Sequence, residues 1–317
     1  MNRLLQTELH RHLDISARLS TVLELAQKLG LEPQSTSLQS FGDKLYLRSP
    51  LNDLASVLAR FELFQKILVT PEILERVAFE TVEDCRREGT QNVELRYSPS
   101  FLCEKSGLNW LEASQAFDRG VKRALQTFPE MRAGLICIAS RDYGLDMASQ
   151  TVEFFLAHPE LFIGVDLAGN ESAYPARLFQ EAYAPAIQAR AKITIHAGEA
   201  AGPDQVWEAI ELLGAQRIGH GIASAKDPQL MEHLRQRKIC LEICPTSNWL
   251  TQCVPTLPQH PLAQLVRAGV PVSINTDDPG VFPVTLASEI QLCRDELGLT
   301  ETEIQACQQS ALHSSFL

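Results

Sequence analysis

The residues in this sequence with the types and spacing for chemistry are histidines and carboxylates that follow short apolar runs. His10 and His12 lie two apart in T-E-L-H-R-H. Side chains two apart on a strand share a face, so both can reach one metal ion while Arg11 points away. In K-I-T-I-H-A-G-E, the β-favouring run Ile193, Thr194, Ile195 delivers His196, and the Ala197-Gly198 turn brings Glu199 three positions behind it. His220 stands in G-H-G and the pair Asp277-Asp278 in N-T-D-D-P. Each has a structural explanation taken alone: a histidine can satisfy a backbone carbonyl, and D-D-P can be a turn. Packing does not account for all of them falling together at strand ends.

The elements that must position these groups alternate strand and helix. Strands are expected at 7–12, 92–97, 134–139, 161–167, within 192–199, and at 217–220, 239–244 and 270–275. Helices are expected at 20–29, capped by Ser20 and stopped by Gly30, and across 51–88 with Pro71 opening a second helix. Further helices fall at 113–128, 147–158, 176–190, 204–213, 228–237, 261–268 and beyond 287. Phe61 and Phe64 read as core, with an aromatic substrate wall as the other reading.

Eight parallel strands with helical crossovers predict an α/β fold, a (β/α)8 TIM barrel with extra helices between the first and second strands. An open doubly wound sheet is disfavoured, because no glycine-rich loop follows the first strand. Barrel closure sets His10 and His12 beside Asp277, with His196 facing them across the mouth. Three imidazoles and a carboxylate suit one zinc-like divalent ion with a position left for water or substrate. Such an ion lowers the pKa of its water to roughly 7. His220 and Glu199 are then uncoordinated acid–base groups, and Asp278 is placed to bond a substrate.

Composition narrows the class. Hydrophobic residues make up 45% and charged residues 21% of the 317, with 17 Gly and 17 Pro dispersed, which fits one globular domain over 1–317. A formal net charge of -11 repels a nucleic-acid backbone and leaves a small-molecule substrate as the expected partner. The first nine residues hold Arg3 and Glu8 and read as no signal peptide, and no apolar run has membrane length, so a cytoplasmic location is expected. The eight scattered cysteines, with no C-x-x-C pair, read as reduced thiols. Oligomeric state is not encoded in any of these features.

L-H-R-H-L-D at 9–14, V-D-L-A-G-N-E at 165–171, H-A-G-E at 196–199, G-H-G at 219–221 and S-I-N-T-D-D-P at 273–279 resemble the adenosine deaminase family of the amidohydrolase superfamily, in order and over nearly the whole chain. The resemblance implies zinc held by His10, His12, His196 and Asp277, and hydrolytic deamination of adenosine or 2′-deoxyadenosine. It further implies that Glu199 protonates the purine N1 and that His220 orients or deprotonates the water attacking C6. Asp278 would bond N7 and the Gly169 amide N3, Asp14 would reach toward the ribose, and His12 would bind substrate as well as the ion. Free adenine, an N6-substituted adenine nucleotide and aminodeoxyfutalosine share the same bond cleavage and are the alternative substrates. Relatives commonly carry glycine after the first-motif aspartate, where this chain has Ile15, and many continue beyond the position of Leu317. The H-x-E and P-C-x-x-C pattern of the cytidine-deaminase zinc site is absent.

Overall fold

The computed structural model describes residues 6–50 and 54–317. β1 (Gln6–His12), β2 (Thr90–Tyr97), β3 (Arg132–Ser140) and β4 (Gly164–Ala168) pair in parallel in that order. β5 (Thr194–Ala197), β6 (Arg217–His220), β7 (Cys240–Ile243) and β8 (Val272–Ile274) do the same. Two parallel bridges join the sets: Val165 with Ile193, and Arg11 with Asp277. There the Val165 N–H donates to Lys192 O and the His12 N–H to Asp277 O, both at 2.9 Å. The eight strands thus close into the expected (β/α)8 barrel.

Between β1 and β2 lie four extra helices, α1 (Leu19–Lys28), α2 (Leu38–Leu45), α3 (Leu54–Ile67) and α4 (Pro71–Glu88). The expected start of the third at Leu51 lies outside the described residues. α4 begins as the sequence implies: the Thr70 hydroxyl accepts the Ile73 N–H, Pro71 fills the first turn, and Gly89 ends it at φ 94°. α1 differs from expectation. Its N-cap is Arg18, whose guanidinium can only donate and so makes no cap bond; it is held by Asp84 at 2.7 Å and Glu83 at 2.5 Å, and Ser20 falls inside the first turn.

The remaining helices are α5 (Pro99–Ser106), α6 (Trp110–Thr127), α7 (Gly144–Ala157), α8 (Gln180–Gln188), α9 (Pro203–Glu211), α10 (Pro228–Arg237), α11 (Pro245–Leu250), α12 (Leu262–Arg267), α13 (Leu286–Asp295) and α14 (Glu301–Ser314). α2, α5 and α11 are additions to the sequence reading, and β4 starts three residues later than expected. One continuous apolar cluster unites the inner helix faces with the outward-facing strand residues, such as Val93, Leu95, Ile195, Ile218 and Leu241. Seven cysteines are buried, and Cys253 is half-buried.

The barrel interior is ionic. Arg217 contacts Glu94 at 2.6 Å and Glu242 at 2.7 Å, while Arg96 contacts Glu242 at 2.6 Å and Asp166 at 2.7 Å. All five side chains are buried, so each charge depends on its neighbours for the solvation it has lost. Phe316 closes this end of the network, its ring centroid 3.6 Å from the Arg217 guanidinium carbon.

Candidate active site

The C-terminal strand ends bring His10, His12, His196 and Asp277 together, their donor atoms all within 4.8 Å of one another. His10 Nε2 and His12 Nε2 lie 3.2 and 3.3 Å from the same atom, Asp277 Oδ1. Tetrahedral ligands at about 2.0–2.1 Å from a zinc ion stand about 3.3 Å apart, so the spacing fits such a centre. His10 Nε2 is buried without a hydrogen-bond partner, which leaves its lone pair for an ion.

Two carboxylates fix the ring orientations. Glu242 Oε2 lies 2.9 Å from His10 Nδ1, and Asp166 Oδ2 lies 2.9 Å from His196 Nδ1. Burial alone would raise both acids, but Arg96 and Arg217 hold Glu242 well below the usual range, and His196 and Arg96 do the same for Asp166. Ionised carboxylates only accept, so each Nδ1 carries the proton and each Nε2 faces the mouth as a donor atom. Burial, reinforced by His10 and His220, pulls His196 down to about 3 and keeps it neutral. For His12, burial is outweighed by Asp278, Asp277 and Asp14, which raise it to about 9 when no ion is bound.

His220 and Asp277 reach the mouth through left-handed backbone, at φ 59° and 69°. That conformation is costly for a side chain, about 1–3 kcal/mol each. Gly219 permits the crowding: a Cβ there would stand 3.1 Å from the His10 ring and 3.1 Å from the His196 backbone. His220 Nε2 is 3.6 Å from Glu199 Oε2 and 3.9 Å from Asp277 Oδ2. Burial raises the Glu199 carboxyl, with Asp277 and Glu171 adding to the rise and His220 opposing it.

The loop that carries Glu199 is tied to Glu171, whose carboxylate accepts the N–H groups of Gly198 at 2.7 Å, Glu199 at 2.8 Å, Ala200 at 2.5 Å and Ala201 at 2.9 Å. A cavity of about 690 Å³ opens above, lined among others by His12, Gly169, His196, Glu199, His220, Asp277 and Asp278. Phe61 also lines it, whereas Phe64 is fully buried in the core. Gly169, at φ 103°, lies so close to Asp142 that a Cβ would sit 2.2 Å from Asp142 Oδ2. Burial, then Asp277, push the Asp278 carboxyl well above its usual range, while His10 and His12 overcome the burial of Asp277 and hold it well below.

Asp14 is not among the lining residues. It is buried, accepts the Ser98 N–H at 3.2 Å, and is raised by burial to about 6. Ile15 packs into the core and its carbonyl accepts the Gly280 N–H at 2.8 Å. Asp166, Glu242, Arg96, Glu171 and Asn248 are the orienting groups that the sequence reading did not assign.

A family model described as adenosine deaminase matches residues 6–317. The adenosine deaminase of Klebsiella pneumoniae subsp. pneumoniae is 39% identical over 98% of this chain and 93% of its own length. Among solved structures, an amidohydrolase from Burkholderia ambifaria with bound Zn superposes with a TM-score of 0.89 at 26% identity, covering 99% of this chain and 86% of the other. The Arabidopsis N6-mAMP deaminase gives 0.84 at 28% identity, covering 99% and 94%. This chain is a hydrolase of C–N bonds in cyclic amidines and belongs to the adenosine deaminase family.

Proposed function

We propose that this protein hydrolyses adenosine and 2′-deoxyadenosine to inosine or 2′-deoxyinosine and ammonia, as a single-domain cytoplasmic enzyme with one zinc ion per chain. The observation that carries the choice of substrate is the charge of the cavity. Its described lining residues hold no lysine or arginine, and their carboxyl groups are Asp142, Glu171, Asp277 and the two that burial pushes up, Glu199 and Asp278. A phosphate dianion would find no cationic side chain to receive it there, while an uncharged nucleoside needs none. The volume, about 690 Å³, exceeds what a bare purine fills.

An ion held by His10, His12, His196 and Asp277 would supply a water acidified to a pKa of about 7. Glu199, whose carboxyl is raised by burial, gives its proton to ring N1 and so makes C6 electrophilic. Asp278 is kept neutral and can donate to the N7 acceptor, and the Gly169 amide serves N3. His220 holds the attacking water. One proton of the water passes to the exocyclic amine, which leaves as ammonia as C6 becomes a carbonyl, and the other restores Glu199, so one water is consumed. His12, which lines the cavity, is assigned to substrate binding, and Asp14, outside that lining, is given no contact.

The test is ammonia release from adenosine, 2′-deoxyadenosine, adenine, adenosine 5′-monophosphate, an N6-methyl adenine nucleotide and aminodeoxyfutalosine, each with and without chelator. Chelator-sensitive turnover of the two nucleosides, at least tenfold above the rest in kcat/KM, is the expected result. Preference for a nucleotide would overturn the charge argument.

A further inference from the structure

Asn248, on α11, lies between the two acid–base groups of the mouth. Its Nδ2 is 3.0 Å from Glu199 Oε1 and 3.1 Å from His220 Nδ1, and its Oδ1 is 3.3 Å from His260 Nε2. At the far end, the Leu262 N–H donates to His260 Nδ1 at 3.1 Å. Asn248 and His260 are buried, and neither contacts the four candidate metal ligands through any of these bonds.

The direction of every proton in this chain follows from its one fixed end. A backbone N–H can only donate, so His260 Nδ1 accepts and the proton of the neutral ring is on Nε2. Burial, with His220 nearby, holds His260 down to about 4, which keeps the ring neutral. Nε2–H then donates to Asn248, which must turn its carbonyl oxygen to His260 and its NH2 to the mouth. That NH2 donates twice. Glu199 Oε1 accepts one hydrogen, so an acidic proton on Glu199 resides on Oε2. His220 Nδ1 accepts the other, so neutral His220 carries its proton on Nε2, the nitrogen that faces Glu199 Oε2 and Asp277 Oδ2.

We infer that Asn248 and His260 are positioning residues that set the proton placement of the site: the acidic hydrogen on Glu199 Oε2 and the Nε2–H tautomer of His220. In that tautomer His220 donates a hydrogen bond to the oxygen of the attacking water, and does not remove its proton through Nε2. The role in turnover rests on the deaminase reading, but the tautomer is measurable with no substrate present, so the two can fail separately.

The first measurement is nitrogen NMR of histidine-labelled protein, zinc-loaded and metal-stripped, with the His220 signals assigned by their loss in His220→Asn. We expect a protonated Nε2 and an unprotonated Nδ1; a proton on Nδ1 overturns the inference. In Asn248→Asp both side-chain oxygens accept, which should transfer the proton to His220 Nδ1 and lower kcat about 100-fold with KM changed less than threefold. A kcat within twofold of the parent would also overturn it. His260→Leu should let the Asn248 amide reorient and lower kcat about tenfold, while His260→Gln, which keeps a donor, should recover most of it. Equal rates in those two variants would remove His260 from the chain, and a misfolded Asn248→Asp would leave the parent spectrum and the His260 pair to decide.

Discussion

Glu199 is where the site's protons and charges meet. Its carboxyl is raised by burial, bonded to Asn248 on one oxygen and faced by His220 on the other, and its loop is fastened by four N–H groups to Glu171. An acid that must stay protonated until substrate arrives needs this kind of surrounding. Glu199→Gln should therefore keep its metal content and lose about 10²–10⁴ in kcat, since an amide cannot supply an acidic proton. Turnover and metal per chain, measured on one preparation, check this; loss of metal together with activity would put Glu199 among the ligands instead. The histidines and carboxylates at the strand ends were legible in the sequence because each follows a short apolar run. The groups that aim them were harder to read, because Asp166 and Glu242 meet His196 and His10 only after the barrel closes. One cue was available: V-D-L and L-E-I each set a charge inside an apolar strand, and a buried charge requires a partner.

At the scale of elements, the strand–helix alternation was legible because periods of 2 and 3.6 persist over whole segments. α2, α5 and α11 span only six to eight residues, about two turns, too short for a period to be told from a loop. The omission of α11 matters most, since it carries Asn248 and the cavity-lining Ser247. Its first turn is held by α13: Glu289, buried, accepts the Thr246 N–H at 3.0 Å and also its hydroxyl. Burial raises this carboxyl to about 7, with the Thr246 bonds opposing the rise. A carboxyl whose folded pKa lies above its unfolded value near 4.5 binds its proton more tightly in the folded state. It therefore costs nothing below about pH 4.5, and stability falls as pH rises to about 7, by about 3 kcal/mol at most. Glu289→Gln keeps an acceptor for Thr246 without that titration. Denaturant midpoints at pH 5 and pH 8 should show the variant gaining on the parent at the higher pH. A constant difference between the two proteins would mean that Glu289 is ionised in the folded state throughout.

Across the whole molecule, one ionic chain runs through the barrel from the C-terminal residues to the mouth. Phe316 covers Arg217, Arg217 joins Glu94 to Glu242, and Arg96 joins Glu242 to Asp166, the two acids that orient His10 and His196. The barrel interior thus serves to orient the candidate metal ligands His10 and His196, whereas most barrels fill that space with branched apolar side chains. Such a network is sensitive to the loss of one member, because the partners left behind are buried charges with nothing to replace water. Arg96→Met keeps much of the volume, strips Asp166 of its arginine and leaves Glu242 with Arg217 alone. We expect it to cost about 3–5 kcal/mol in denaturant unfolding of metal-free protein, and to weaken zinc binding about 10–100-fold. Arg18→Met, at the half-buried cluster with Asp84 and Glu83, is the control, and should cost no more than about 1 kcal/mol. If the Arg96 variant matched that control, the orientation of His10 and His196 would have to come from strand geometry alone.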